Sequence, residues 1–328
     1  MRTGGIIRII VGLVIALILT AFLVLTLTGH NVLARLGWDG NWSWPFWASA
    51  DYGSADAVAD GTQIVAEETV SIAAADVNSI DIEWIAGSVK VLVGTGDEIT
   101  FYETARRTLT DAQKMRYTVT SGGVLKVQYC ENSEKVWNWF DRDRNNIPSK
   151  ALVMTVPASM LGFLDELEID SVSARIDVDG VYGDTVKLDS VSGEIECAKI
   201  ACDELKLSST SGRLVCERCT VQDLSLNNVS GNIRAGGAFK SVSADTVSGE
   251  VRIVSTIVPE KIAGDSVSGD MTILLPEDAG FTAKLDSVSG ELSCEFPGTL
   301  SDKKIVCGDG SASYRFDSVS GSIRIGIN

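Results

Sequence analysis

The stretch Asp189-Ser190-Val191-Ser192-Gly193-Glu194-Ile195 recurs, with variation, through the C-terminal half of this sequence. Its glycine position is occupied in turn by Ala174, Gly193, Gly212, Gly231, Gly249, Gly269, Gly290 and Gly321. These anchors are 19, 19, 19, 18, 20, 21 and 31 residues apart. A βαβ unit needs about 30 residues, so each repeat is too short to contain one. The repeat predicts a stack of coils that bury their apolar faces against one another.

Apolar residues alternate with polar residues around each anchor. Two residues after it are Ile176, Ile195, Leu214, Ile233, Val251, Met271, Leu292 and Ile323. Two residues before it are Val172, Val191, Thr210, Val229, Val247, Val267, Val288 and Val319. Side chains alternate across a strand, so we expect both sets to point inward. A second short strand precedes each anchor, and small polar pairs such as Asp189-Ser190 are predicted to form the corner between the strands.

These patterns predict an all-β protein folded as a parallel β-solenoid with 19–21 residues per coil. The general preference for right-handed crossovers predicts a right-handed β-helix. We assign residues 169–328 to regular SVSG-repeat coils and residues 64–168 to degenerate coils with longer loops, where Gly87 marks an early coil. The serine before each anchor, as in Ser192, is expected to form hydroxyl ladders with its equivalents in neighbouring coils.

The N-terminal segment predicts a transmembrane helix at residues 9–29. Ile9 to Leu27 are 19 residues without a charge, enough for a helix of about 28 Å. Arg2 and Arg8 precede this run, which places residues 1–8 in the cytoplasm and the C-terminal domain outside a single-pass cell-membrane anchor. A signal peptide cleaved near Val32-Leu33-Ala34 is the alternative.

Two aromatic clusters are candidate contact surfaces. Within the juxtamembrane segment and linker, residues 30–63, the first contains Trp38, Trp42, Trp44 and Trp47. Their position favours the membrane interface, with a sugar-binding platform as the alternative. The second, Trp137, Trp139 and Phe140, lies in a loop beside alternating charges. It predicts either a binding surface or a cover for the open end of the solenoid.

Charge and composition exclude several functions. The chain has 28 basic and 44 acidic residues, a net charge of −16, which disfavours nucleic-acid binding. His30, at the predicted membrane exit, is the single histidine, so Ser-His-Asp and Cys-His catalysis are not expected in the exterior domain. We expect no enzymatic activity, no cofactor and no metal.

A glycan-active β-helix enzyme, a lyase or hydrolase, is the alternative, because paired carboxylates can act as acid and base. The candidate carboxylates are Asp170, Asp189, Asp265, Asp286 and Asp317, which could line up on one edge. However, they belong to a repeated phrase, whereas a site normally interrupts a repeat. We therefore interpret them as turn-forming residues.

The seven cysteines leave three interpretations open. Cys197, Cys216 and Cys294 lie four residues after an anchor, at an inward position that other coils fill with Val, Ala or Ile, and Cys219 follows Ile200 by one period. This favours core packing, because a buried free cysteine behaves as a small hydrophobe. Disulfides between neighbouring coils and a metal site, suggested by the Cys216-Glu217-Arg218-Cys219 spacing, are the alternatives.

The repeated phrases Leu167-Glu168-Ile169-Asp170-Ser171-Val172-Ser173 and Phe316-Asp317-Ser318-Val319-Ser320-Gly321 resemble the bacterial putative-adhesin β-strand-repeat family, which includes LiaG-type membrane-anchored proteins. The resemblance covers roughly residues 64–328. It implies an exterior β-solenoid, with a link to the envelope stress response in some members, and it supplies no catalytic residues. We expect a non-catalytic binding, adhesin-like or scaffolding module whose partner is an envelope protein or a cell-wall glycan.

Overall fold

The part of the chain that the computed structural model describes, residues 65–66, 68–131, 147–301 and 303–328, consists mainly of β-strands, as predicted. The strands before the first regular anchor are β1 (Val65–Ala66), β2 (Val70–Ala73), β3 (Ser79–Trp84), β4 (Gly87–Gly94), β5 (Glu98–Ala105), β6 (Arg116–Val119), β7 (Val124–Gln128), β8 (Lys150–Pro157) and β9 (Glu166–Ser171). Three short 3₁₀ helices cover Ala74–Asp76, Asp111–Gln113 and Ala158–Met160.

The repeat region continues the same β architecture. Its strands are β10 (Arg175–Asp179), β11 (Tyr182–Ser190), β12 (Ile195–Ala198), β13 (Ala201–Ser209), β14 (Leu214–Asn228), β15 (Ile233–Thr246), β16 (Val251–Ser255) and β17 (Lys261–Ser266). They are followed by β18 (Met271–Leu275), β19 (Phe281–Ser287), β20 (Leu292–Cys294), β21 (Gly298–Ser301), β22 (Lys304–Cys307), β23 (Ala312–Ser318) and β24 (Ile323–Ile327).

The predicted membrane helix at residues 9–29 and its flanks at 1–8 and 30–63 lie outside the described residues. None of the helices within the described ranges is both long and apolar enough to cross a membrane.

Parallel pairing between coils confirms the solenoid stacking. On one side of each corner, Ile176 pairs with Ile195 and Ile195 with Leu214, each 19 residues further along the chain. On the other side, Leu188 pairs with Leu207 in the same register. Inward residues of equivalent positions therefore stack, and the apolar side chains of the coils form one continuous core. The handedness of the coil stays a prediction.

The spatial order of the last coils differs from their order in the sequence. β23 pairs on one side with β17 and on the other with β19, and β24 lies in the same way between β18 and β20. The Gly321 coil is therefore inserted between the Gly269 and Gly290 coils. The hairpin of β21 and β22 makes this possible, because β22 folds back antiparallel onto β19 and the chain then re-enters the stack. The 21-residue step from Gly269 to Gly290 therefore joins two coils that are not adjacent in the stack, and the 31-residue step from Gly290 to Gly321 includes the hairpin.

The early coil at Gly87 has the register that the sequence predicted. Val89 of β4 pairs with Ile176 of β10, while β3 pairs with β9. On the other side of this coil, β3 pairs with β7 and β4 with β8. The same end of the core contains a buried ion pair in which the Lys150 Nζ lies 2.6 Å from a Glu103 carboxylate oxygen. Lys150 also lies over the rings of Trp84 and Tyr129.

A buried serine closes five of the eight corners, and Asn228 takes its place at Gly231. In the coil of Gly193, the glycine N–H donates a 2.8 Å hydrogen bond to the Ser190 Oγ. The same 2.8 Å contact recurs from Gly212 to Ser209, from Gly269 to Ser266 and from Gly321 to Ser318. A Cβ at Gly193 would lie 1.9 Å from the carbonyl oxygen of Ala174 in the preceding coil. The anchor is therefore glycine because backbone occupies the space of a side chain.

This corner overturns three expectations. Four of the valines before the anchors are exposed, with Val288 at 84% and Val229 at 44%, because the turn interrupts the alternation of the strand, whereas Val172 packs against the core. The serine next to the anchor does not form a hydroxyl ladder; the Ser192 Oγ donates to the Val172 carbonyl oxygen of the neighbouring coil. The aspartates of the phrase are not turn residues either. Asp189, for example, is an outward residue of β11, one position before the serine that closes the corner.

The aspartates do line up, as the sequence predicted, in one outward column. Register pairs join Asp170 to Asp189, Asp245 to Asp265, and Asp265 to Asp317, which in turn pairs with Asp286. Partial burial and the neighbouring carboxylate of Asp189 raise the pKa of Asp170 to about 6. Like charges directly opposite each other destabilise a sheet, so this column opposes folding at neutral pH.

We predict that Gly193→Ala lowers the free energy of unfolding by about 3 kcal/mol or more, because its methyl group meets the Ala174 carbonyl. Ser190→Ala should cost about 1–3 kcal/mol, because it leaves the buried Gly193 N–H without an acceptor. Urea unfolding measures both effects. Gly122→Ala is the matched control, since its Cβ would have no neighbour closer than 3.8 Å. Equal unfolding midpoints for the two glycine variants would contradict this account.

We also predict that Asp170→Asn stabilises the protein at pH 7 and has little effect near pH 4. The folded-state pKa of about 6 lies above the unfolded value of about 3.9, so stability is lost as pH rises between these values. At pH 7, we expect a gain of about 1 kcal/mol after allowance for solvent screening. Unfolding curves at several pH values test this. The matched control is Asp223→Asn, the same change at an exposed carboxylate of β14.

Candidate functional site

The regular repeat is interrupted between β14 and β15. Glu217 pairs with Gly236, but the next register pair joins Cys219 to Gly237, which leaves Arg218 as a bulged residue. In the two preceding coils, this left-handed corner position is held by Gly180 (φ 80°) and Lys199 (φ 54°), and Arg218 adopts φ 55°. The following coil has no equivalent residue. Bulges of this kind redirect neighbouring side chains and are common near functional sites.

A groove of about 780 Å³ lies on the outer side of this interruption. Its charged lining residues are Arg218, Arg234, Arg252, Glu217 and Glu250. The backbone of Gly236 and Gly237 forms part of the wall, where the absence of side chains leaves the sheet accessible. Three arginines and two glutamates line this groove, together with Asn328, on a protein whose net charge is −16.

Arg234 and Arg252 are direct neighbours in this groove, because they pair in register between β15 and β16. Their outward neighbours further along the column, Val215 and Thr272, carry no charge. Within the described part of the chain, neither arginine forms an ion pair or a side-chain hydrogen bond, and the same holds for Arg218. Two like charges therefore lie side by side without compensation, an arrangement that destabilises a sheet.

Outward arginines elsewhere in the solenoid are compensated. Arg175 and Arg213 both form ion pairs with Glu194 and Glu196. Arg315 pairs with Asp317, and Arg324 pairs with Glu295. The groove arginines thus differ from these four outward arginines, and a departure of this kind without a compensating interaction is typical of functional positions.

The groove has the chemistry of an anion-binding site. A guanidinium group presents planar N–H donors that match phosphate or carboxylate oxygens in two parallel hydrogen bonds. The in-register spacing of Arg234 and Arg252 would let both hold one anionic group. Glu217 and Glu250 at the same groove could accept hydrogen bonds from hydroxyl or ammonium groups of the same ligand.

A thiol cluster lies on the inner side of the same interruption. Cys197 and Cys216 pair in register, and with Cys219 they form a group of three buried thiols whose sulfurs all lie within 4.8 Å of one another. Hydrogen bonds from the thiols of Cys197 and Cys216 lower the pKa of Cys219 to about 4. Burial raises the pKa of the nearby Cys202 to about 12. All seven cysteines are free thiols, and six of them are buried.

The sequence predicted part of this arrangement. The inward positions of Cys197, Cys216 and Cys219 are confirmed, and the three converge because Cys216 stacks on Cys197 in register while the corner at Arg218 turns Cys219 inward. The arginine pair was missed, although Arg234 and Arg252 each lie three residues after an anchor and could have been aligned by the repeat. The predicted contact residues lie outside the described residues and stay predictions: Trp38, Trp42, Trp44, Trp47, Trp137, Trp139 and Phe140.

Comparison with known proteins gives a family and a set of partly similar structures. The family model Toastrack DUF4097 matches residues 76–326. No curated protein matches the sequence. A structure named as a putative adhesin from Bacteroides fragilis is 15% identical, with a TM-score of 0.48, and the match covers 80% of this chain and 97% of that chain.

Two further structures are similar to a comparable extent, both from Parabacteroides distasonis. One, named as a putative lipid binding protein, is 16% identical with a TM-score of 0.48. The match covers 80% of this chain and 96% of that chain. The other, named as a putative adhesin, is 11% identical with a TM-score of 0.45. This match covers 80% of this chain and 98% of that chain. The family match spans most of the sequence and confirms the resemblance to a putative-adhesin β-repeat family. The chain belongs to the Toastrack DUF4097 family.

Proposed function

We propose that this chain is a non-catalytic binding module of the bacterial cell envelope that holds an anionic group of an envelope polymer. The observation that carries the proposal is the uncompensated pair of Arg234 and Arg252 in the groove beside the bulge. The anionic group is a phosphate or a carboxylate, and its polymer also offers hydroxyl or ammonium groups to Glu217 and Glu250.

The charge distribution favours binding of an anionic polymer at one local site over attraction by the whole protein surface. A surface with a net charge of −16 repels polyanions at long range, so binding needs a local site where donors are concentrated. Arg218, Arg234 and Arg252 form such a site, whereas the outward arginines Arg175, Arg213 and Arg324 are paired with carboxylates of the protein itself. The ligand would remove the repulsion between the two register neighbours, so binding and stability would be linked.

Placement at the envelope follows from the N-terminal sequence. The uncharged run at residues 9–27 would anchor the chain in the cell membrane with its C-terminal domain outside, within reach of envelope polymers. The resemblance to LiaG-type proteins adds a link to the envelope stress response to this proposal. A scaffolding role is compatible with the same groove, since a tethered polymer would be held at a fixed position on a rigid coil stack.

We predict that the full-length chain binds poly(glycerol phosphate) or polygalacturonate, and that it does not bind neutral dextran. Replacing both groove arginines, Arg234→Ala with Arg252→Ala, should weaken binding by about 10-fold or more for each charge-assisted hydrogen bond that is removed. Binding should also weaken as salt is added. Isothermal titration calorimetry at two salt concentrations measures both effects, with sugar release assayed in the same samples.

The matched control is Arg315→Ala with Arg324→Ala, which removes the same charge from arginines that already have partners. Removing the groove pair should not lower the unfolding temperature, because it relieves like-charge repulsion. Equal loss of binding in both double variants would mean that net charge alone explains the binding, and it would contradict a specific site in the groove. Release of sugar fragments would overturn the non-catalytic part of the proposal and support the glycan-active alternative at the aspartate column.

A further inference from the structure

The inner side of the interrupted coil carries a second inference, independent of the proposed function. We propose that Cys197, Cys216 and Cys219 bind a thiophilic divalent ion, Zn²⁺, inside the solenoid. Among the residues that the structure describes, these three form the group of potential metal ligands whose donor atoms all lie within 4.8 Å of one another. Each is buried, with an exposed fraction of 3% or less.

The fold brings the three thiols together by two different routes. Cys197 of β12 and Cys216 of β14 are register partners, so their side chains stack inward in adjacent coils. Cys219 reaches the same point because the left-handed corner at Arg218 turns it inward, as the corners at Gly180 and Lys199 do for the buried Val181 and Ile200 in the two preceding coils. A Cβ at Gly237, in the following coil, would lie 2.1 Å from the Cys219 carbonyl oxygen. Of these three coils, the Gly212 coil has cysteine at both inward positions of the corner, Cys216 and Cys219.

The distances suit coordination with a small adjustment. A tetrahedral thiolate site with metal–sulfur bonds of about 2.3 Å has sulfurs about 3.8 Å apart. Sulfurs already within 4.8 Å need to close by about 1 Å, which side-chain rotation can supply. Three cysteines and one Zn²⁺ satisfy the preference of this ion for soft thiolate ligands. Cys202 lies on β13 and is the candidate for the fourth ligand.

Zn²⁺ binding would leave only a small net charge at the site. Binding releases one proton from each thiol that is still protonated, and three thiolates with Zn²⁺ leave one net negative charge in the core. The corner cation Arg218 directly precedes Cys219 and is free to compensate that charge. The ion would join the Gly193 and Gly212 coils, because Cys197 lies on β12 and Cys216 and Cys219 lie on β14. The site is thus a structural clamp between two adjacent coils.

Core packing and a disulfide are the competing explanations, and each leads to a different result. Packing alone predicts three free thiols with no bound metal after incubation. A disulfide between any two of the three thiols would remove the ligand set. The pair Cys294 and Cys307, whose sulfurs lie 3.8 Å apart, is a possible second place for a metal and must be tested separately.

The test is a Co²⁺ titration of the full-length chain, reduced and kept without oxygen. We expect one Co²⁺ per chain, with the visible d–d bands of a tetrahedral thiolate site and a thiolate charge-transfer band, both lost when Zn²⁺ displaces Co²⁺. Zn²⁺ should also raise the unfolding temperature, because the ion binds the folded state. Cys216→Ala and Cys219→Val should abolish the bands and the thermal shift.

The repeat itself makes these variants conservative. Ala235 is the register partner of Cys216 in the next coil, and Val181 occupies the position of Cys219 two coils earlier, so both replacements are sizes that the core already contains. Circular dichroism verifies that each variant folds. Cys294→Ser is the control, and it should retain the bands. Cys202→Val, which copies the register partner Val221, should weaken Zn²⁺ binding if Cys202 is the fourth ligand.

Three results would overturn the proposal. The first is the absence of cobalt bands and of bound metal in a folded chain with all its thiols reduced. The second is a disulfide within the trio, found by mass spectrometry of the protein purified without reductant. The third is loss of the bands in Cys294→Ser but not in Cys216→Ala, which would move the ion to the other cysteine pair.

Discussion

The close approach of each anchor glycine to the coil before it is the contact on which the solenoid depends. At Gly193 a side chain would occupy the position of a backbone carbonyl, and the N–H of the same residue donates to a buried serine. This one corner sets the distance between coils, turns the chain between its two columns of strands and directs the following residues inward. The apolar core then follows, because equivalent inward residues lie in register from coil to coil.

A single missing residue produces the groove of the candidate site. The 18-residue step from Gly231 to Gly249 removes the corner position that Arg218 holds in the coil before it. On the outer face, the bulge and two glycines open a groove beside Arg234 and Arg252. On the inner face, Cys197, Cys216 and Cys219 meet at the regular corner of the coil before the missing residue. A repeat tolerates such a change because each coil contacts only its neighbours, so a local departure does not disturb the distant coils.

Electrostatic compensation distinguishes this region from the other sheet faces. Outward arginines such as Arg175 and Arg213 form ion pairs between coils, and the buried Lys150 is neutralised by Glu103 and stabilised by two aromatic rings. The aspartate column is compensated in part, since Asp317 pairs with Arg315, whereas the groove arginines have no ion pair among the described residues. Of these, the column has close neighbours of the same sign and a raised pKa at Asp170, whereas the arginines face an open groove with room for a ligand. Uncompensated charge beside accessible space is the stronger indication of binding.

The sequence by itself determined the class of fold, the repeat length, the inward positions after each anchor and the identity of the anchors. These depend on alternation and on local sterics, which are encoded within one coil. The outward direction of the valines, as at Val191, required the structure, because the corner interrupts the alternation of the strand.

The insertion of the Gly321 coil between the Gly269 and Gly290 coils was also decided only by the tertiary structure, since identical phrases can pair in any order. The same is true of the candidate site. Arg234 beside Arg252, and Cys219 beside Cys197, are neighbours across coils, and their distances depend on the register between adjacent coils. Local sequence specifies each coil, but the pairing between coils places the charges and thiols that can bind a ligand.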